Sequence, residues 1–306
     1  MEARITPCST RRELVQVLPQ QPADLVERLK ASYPTLSDSH KRVAEYLLDN
    51  VESAAFLTAG RLGAATGVSE STVVRFAITL GYQGWPDLQR VLAGMVRARL
   101  DTVTRLRMSS GGGLEATVRE VLATDAENLQ RTMSGLDPDV FARVVDALTQ
   151  ARDIYVLGLR SAQSLAVFLT FYLQTIGKSA KMVSQGTRSA FEELDAAGAE
   201  DVVLAISFPR YSSMTVRAFQ YAKDLGAKTI ALTDSAFSPL AQAADLTLVA
   251  RTSINSFIES FVAPLSVVNA IITAIGRKDE DATLKSLEKF EEICAKNRVY
   301  WPDNGV

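Results

Sequence analysis

The sequence predicts an α/β chain of two domains: an all-α helix-turn-helix domain, then a parallel-sheet α/β sandwich. Three observations carry this. Residues 22–100 show only helical periodicity. Ser109-Ser110 and the three glycines Gly111–Gly113 close a segment, 101–113, that reads as a flexible linker. From residue 114 onward, short apolar runs alternate with helical stretches, as in βαβ units. The domain limits are therefore set at 22–100, 101–113 and 114–300, and 306 residues suit two domains of ~150.

In the front domain Leu25, Val26 and Leu29 make one short apolar face. Ser37 can cap a helix that carries Val43, Ala44, Leu47 and Leu48. Thr58 can cap the next, with Leu62 and Ala65 inside. Gly67 then permits the left-handed backbone of a tight turn between two helices. Ser69 caps the following helix, whose Val73, Phe76, Ala77 and Leu80 share one face. Gly81 stops it, and Pro86 suits the first turn of a last helix ending near Arg99. Trp85 reads as core.

The outward face of the helix after Gly67 carries Glu70, Ser71, Thr72, Val74 and Arg75 beside the cap Ser69. In a helix-turn-helix those residues enter the DNA major groove. Hydroxyls can bond base edges or phosphates, Val74 can meet a thymine methyl, and Arg75 can fork onto guanine. Glu70 can accept from a cytosine amino group. Arg61, Arg90, Arg97 and Arg99 remain for the phosphate backbone. Charge agrees: residues 57–107 hold seven basic and three acidic residues, whereas the whole chain has a formal net charge of −2.

In the rear domain Asp137-Pro138 marks a helix start after a stretch at 115–134. Ile154–Leu157, Ala180–Val183, Val202–Ile206, Thr229–Leu232 and Leu246–Val249 read as strands buried on both faces. Ligands of open parallel sheets bind beyond the strands' carboxyl ends. Two such ends combine hydroxyls with arginine: Gly158-Leu159-Arg160-Ser161-Ala162-Gln163-Ser164, and the loop from Ser207 through Arg210 to Ser212, Ser213 and Thr215. Thr233-Asp234-Ser235 is a weaker third. Hydroxyls with backbone N–H groups cradle a phosphate, and a guanidinium adds bidentate contacts. Serines that merely cap helices are the plainer reading of such loops. Neither loop has the glycine spacing of a dinucleotide or P-loop site.

Composition excludes several classes. At 47% hydrophobic and 22% charged, the chain is not generally disordered. Two cysteines, Cys8 and Cys294, make no disulfide framework, so a reducing cytoplasm is the expected compartment. No signal peptide is evident. The apolar stretch 257–275 contains Glu259, Pro264 and Asn269 and reads as a buried helix rather than a membrane span. No metal ligand cluster and no cofactor motif stand out, so neither is expected.

The chain resembles the RpiR family of bacterial transcriptional regulators. The resemblance rests on Gly67-Val-Ser-Glu-Ser-Thr-Val-Val-Arg-Phe76 with Leu80-Gly-Tyr82, on 202–212, and on 226–235 with Ser238-Pro-Leu-Ala241. It implies a helix-turn-helix domain joined to a flavodoxin-like sugar-isomerase (SIS) domain that senses a sugar phosphate, with operator DNA bound by a homodimer or homotetramer. By motif match the phosphate loops hold Ser161 and Ser164, then Ser207 and Ser212, with Ser213 beside them. Arg160 stands where the first motif has glycine, and Pro209-Arg210 where the second has Ser-Gly. Two arginines thus enter the expected pocket, which fits a phosphorylated sugar or a related anionic derivative.

An isomerase is the rival reading. It would need a general base, and ring opening is often helped by histidine. The single histidine, His40, lies in the helical domain. Glu259 is the candidate base; Glu192 and Glu193 are expected to face solvent. Catalysis is not expected. The apolar helix 161–176 and the run 257–275 are expected to supply a surface for self-association.

Overall fold

The computed structural model describes residues 32–108, 113–184, 188–252 and 257–301, with Leu25, Leu29 and Gly186. Cys8 and Ser109–Gly112 lie outside this set, as do the side chains of Arg97 and Arg99. The chain divides into two compact units, Met1–Val96 and Arg97–Val306.

The first unit is helical: α1 (Asp38–Asp49), α2 (Val51–Ala54), α3 (Ala59–Thr66), α4 (Glu70–Thr79) and most of α5 (Trp85–Arg99). Ser37, Thr58 and Ser69 each accept a backbone N–H as side-chain caps of α1, α3 and α4. Gly67 adopts φ 66° between α3 and α4, as its position predicts. Val43, Leu47, Leu62, Val73, Phe76, Ala77, Leu88 and Leu92 form the core. Each such leucine contributes ~1.5–3 kcal/mol by leaving water. Trp85 is buried, and its indole N–H donates to the Leu57 carbonyl at 3.0 Å. Leu48, expected on the apolar face of α1, is instead 44% exposed.

The second unit begins with α6 (Thr102–Met108), then α7 (Leu114–Gly135) and α8 (Pro138–Gln150). Asp137 caps α8. Residues 102–108, read from sequence as linker, are therefore helical. There follow β1 (Ile154–Gly158), α9 (Gln163–Thr175), β2 (Ala180–Val183), α10 (Ala190–Leu194), β3 (Val202–Ile206), α11 (Ser213–Asp224), β4 (Lys228–Thr233), α12 (Pro239–Ala243), β5 (Leu246–Val249), α13 (Val262–Lys278) and α14 (Glu280–Asn297).

All five strands pair in parallel, in the order β2-β1-β3-β4-β5. Alternate residues serve opposite faces. Ile154, Val156, Val202, Leu204, Ile206 and Ile230 pack with α8, α9 and α13. Tyr155, Leu157, Val203, Ala205 and Ala231 pack with α10, α11 and α12. Both faces are covered, which is why the central strands β1 and β3 read as unbroken apolar runs, whereas the edge strand β2 carries the exposed Lys181. The order reverses between β1 and β3, the flavodoxin-like switch point. Gly158 ends β1 where an added Cβ would lie 2.8 Å from the Ala162 carbonyl oxygen.

The helices α9 and α13 spend much of their apolar surface inside this core. Leu165, Leu169 and Leu173 are buried, as are Val267, Val268, Ile271 and Ile275. Of α9, Val167, Phe171 and Tyr172 stay exposed. The surface these helices offer outward is smaller than their composition predicts. Among the described residues no helix is long and apolar enough to cross a membrane.

Candidate functional site

In the first unit the turn geometry presents α4. Gly63 is as constrained as Gly67: a Cβ on it would sit 2.7 Å from the Val68 carbonyl oxygen. This lets the turn fold back, with the Val68 N–H donating to the Gly63 carbonyl at 2.9 Å. Arg61, Ser69, Glu70, Ser71 and Arg75 are exposed, and Thr72 and Val74 are half-buried. All seven are therefore at least partly accessible to solvent. The Ser69 hydroxyl lies 2.9 Å from that of Ser71 and 2.8 Å from that of Thr72. Arg75 folds back on Ser71, its Nε 3.3 Å from the carbonyl oxygen and Nη2 3.4 Å from the hydroxyl. Glu70 leans on the first turn of α3, where a Cβ on Gly60 would lie 3.2 Å from its Oε2. Its charge is favoured there by the helix dipole. His40 of α1 stacks edge-on against Phe76, and burial, then the Arg75 charge, lower its pKa.

In the second unit both hydroxyl-arginine loops follow neighbouring strands at the switch point, since β1 pairs with β3. The first loop is a 3-10 turn, Arg160–Ala162, entering α9 without a side-chain cap. Ser161 and Ser164 are exposed, and the Ser164 hydroxyl donates to the Ser161 carbonyl at 2.9 Å. Helix capping therefore does not account for them. In the second loop Ser212 does cap α11, accepting the Thr215 N–H at 3.3 Å. Ser207 is buried at the end of β3 and Ser213 is exposed.

Arg160 and Arg210 have φ 58° and 65°, two of the three non-glycine residues in the left-handed region among those described. Both guanidinium-bearing residues are exposed. Left-handed backbone costs an L-residue about 1–2 kcal/mol.

Two profiles match the chain: one described as a helix-turn-helix domain of the rpiR family, over residues 23–98, and one as a SIS domain, over 147–274. The sugar isomerase domain of an RpiR transcription factor from Sphaerobacter thermophilus is 30% identical, with 97% of that chain and 56% of this one covered and a TM-score of 0.55. The chain belongs to the RpiR family. It is also 29% identical over 261 residues to the transcriptional regulator HexR of Pseudomonas aeruginosa, covering 82% of this chain and 89% of that one. The Vibrio vulnificus NanR protein, solved with ManNAc-6P, shares the fold at 24% identity and a TM-score of 0.56, covering 89% and 98%. The RpiR relatives are named as transcriptional regulators, and so this chain is a regulator of the RpiR type with a SIS domain.

At both positions where the family resemblance expects glycine, 160 and 210, the backbone is left-handed. Arg160 and Arg210 thus occupy a backbone conformation that glycine usually fills, each with an exposed cationic side chain. Several contacts of these loops were not read from sequence. The Tyr211 hydroxyl donates to Asp234 Oδ1 at 2.7 Å, tying the second loop to the end of β4. Burial pushes the pKa values of both Tyr211 and Asp234 up. The Thr215 hydroxyl is fully buried without a hydrogen-bond partner among the described residues. Glu259, weighed as a base, is ion-paired to Arg105 at 3.4 Å. Glu192 is exposed as expected and closes a capping box on α10, whereas Glu193 is half-buried and accepts the Ser184 N–H at 2.7 Å.

Proposed function

We propose that this regulator represses a carbohydrate-catabolism operon and responds to a phosphorylated sugar or a related anionic sugar derivative. On this reading residues 22–100 bind operator DNA. Ser69, Glu70, Ser71, Thr72, Val74 and Arg75 face the major groove, and Arg61 the phosphate backbone. Residues 114–300 bind the effector and self-associate as a homodimer or homotetramer. The effector lies between the two loops, held by the hydroxyls of Ser161, Ser164, Ser207, Ser212 and Ser213 and by the guanidinium groups of Arg160 and Arg210.

The observation that carries the effector reading is the convergence of both loops on the β1/β3 switch point. A sugar phosphate accompanies the same fold in the NanR structure. Self-association is supported by an outward stripe on α7, where Leu114, Val118 and Leu122 are all more than half exposed. A thermal-shift screen of phosphorylated sugars and sugar acids tests the effector assignment. A true effector at ~100 Kd adds about 2.7 kcal/mol. A panel that shifts nothing, on protein that binds its operator, refutes it.

A further inference from the structure

Resting on the effector reading above, we propose that Arg210 also clamps helix α6, and that an anion entering the crevice releases the clamp. Arg210 Nη1 donates to Thr102 Oγ1 at 2.6 Å, across 108 residues of sequence. Thr102 is the first residue of α6. A second anchor comes from the loop after β5: Arg105, only 3% exposed, reaches Glu259. Asp101 caps the helix, accepting the Val103 and Thr104 N–H groups at 2.9 and 3.0 Å.

Seven residues are too few to hold a helix alone, since isolated helices below ~12–15 residues are marginal in water. The order of α6 therefore depends on what it touches. Its first-turn anchor is a residue of the effector loop. Only Leu100 and Asp101 separate α6 from α5, the helix that closes the DNA-reading unit. Loosening α6 thus loosens the chain where it leaves that unit.

The competition is chemical. Thr102 offers Arg210 a neutral hydroxyl. A phosphate or carboxylate offers charge-assisted, bidentate bonds of roughly twice the strength. With glycine at 210, as in the family motif, no side chain would reach Thr102. The device therefore belongs to this chain's own departure from the motif.

Amide hydrogen exchange on the full chain tests the proposal, with inorganic phosphate as the probe. Thr102→Val removes the acceptor, and Arg210→Gly removes the donor at an angle glycine accepts. Without phosphate, both variants should exchange the α6 amides at least about threefold faster than the unmodified chain, the equivalent of ~0.7 kcal/mol. Saturating phosphate should raise α6 exchange in the unmodified chain and leave it unchanged in Arg210→Gly. Unaltered α6 exchange in both variants overturns the clamp. Phosphate that protects 207–215 but leaves α6 alone overturns the release while sparing the effector reading. Phosphate that changes neither segment overturns that reading and the release with it, and the ligand-free variants still decide the clamp.

Discussion

Replacing Arg160 by glycine should stabilise the second unit and at the same time weaken its response to anions. Arg160 sits at φ 58°. That conformation costs an L-residue about 1–2 kcal/mol. Glycine relieves it but gives the unfolded chain more freedom, which takes back ~0.4–1 kcal/mol. The exposed Arg160 side chain makes no hydrogen bond or ion pair with the described residues, so nothing else is lost. The net gain is ~0.5–1 kcal/mol, or about 1–4 °C in the melting temperature of a unit this size. Arg160→Ala keeps the Cβ and the strain, and should melt with the unmodified chain. Scanning fluorimetry with and without a sugar phosphate reads both effects. In each variant the ligand-induced rise should shrink, because a charge-assisted contact worth ~1.5–3 kcal/mol is gone. A glycine variant that melts lower, or a ligand shift of unchanged size, refutes the reasoning.

Three further outcomes follow from particular contacts. Gly63→Ala pushes a Cβ to 2.7 Å from the Val68 carbonyl oxygen, so it should destabilise the first unit by ~1–3 kcal/mol; a urea midpoint equal to that of the parent chain speaks against this. Asp234 has a raised folded-state pKa, so the native state holds its proton longer than the unfolded chain does; the stability it contributes is full at low pH and is lost as pH rises through that pKa. Asp234→Asn keeps an acceptor for Tyr211 without the charge, and its stability relative to the parent should be greater at pH 7 than at pH 4; an equal difference at both contradicts the shift. Residues 114–306 alone should sediment as a dimer or larger and residues 1–107 largely as a monomer, and a monomeric rear fragment would move the interface elsewhere.

The centre of the sheet was legible because β1 and β3 are buried on both faces. Val202–Ile206 contains no polar residue, and the flanking turns bound it cleanly. The face of α4 was legible because Gly67, Ser69 and the spacing from Val73 to Leu80 are local signals. What escaped the sequence depends on partners far apart along the chain. Nothing near Arg105 announces Glu259, and nothing near Tyr211 announces Asp234. Local composition also misled: Ser109 and the glycines after it made 101–113 read as linker, although 102–108 is helix anchored by tertiary contacts. The left-handed angles at Arg160 and Arg210 contradict the residues' own preference. Only the comparison with a glycine-bearing motif hints at them. Gly63 sits inside a helix, where glycine usually reads as a weakness rather than a close approach.

The central claim is that an anion at the β1/β3 loops controls operator affinity. It is tested most directly by fluorescence anisotropy on DNA upstream of the chain's own coding region, titrated with the screened sugar derivative, for the unmodified chain and for Ser207→Ala. Ser207 is buried at the end of β3 and lies outside the helix-turn-helix. Ligand-free operator affinity should match in the two proteins. The effector concentration that shifts it should rise by about one to two orders of magnitude in the variant, as ~1.4 kcal/mol is tenfold. A Ser207→Ala protein that folds and answers the effector at the original concentration would contradict the account. So would a parent chain with no specific operator binding at low salt.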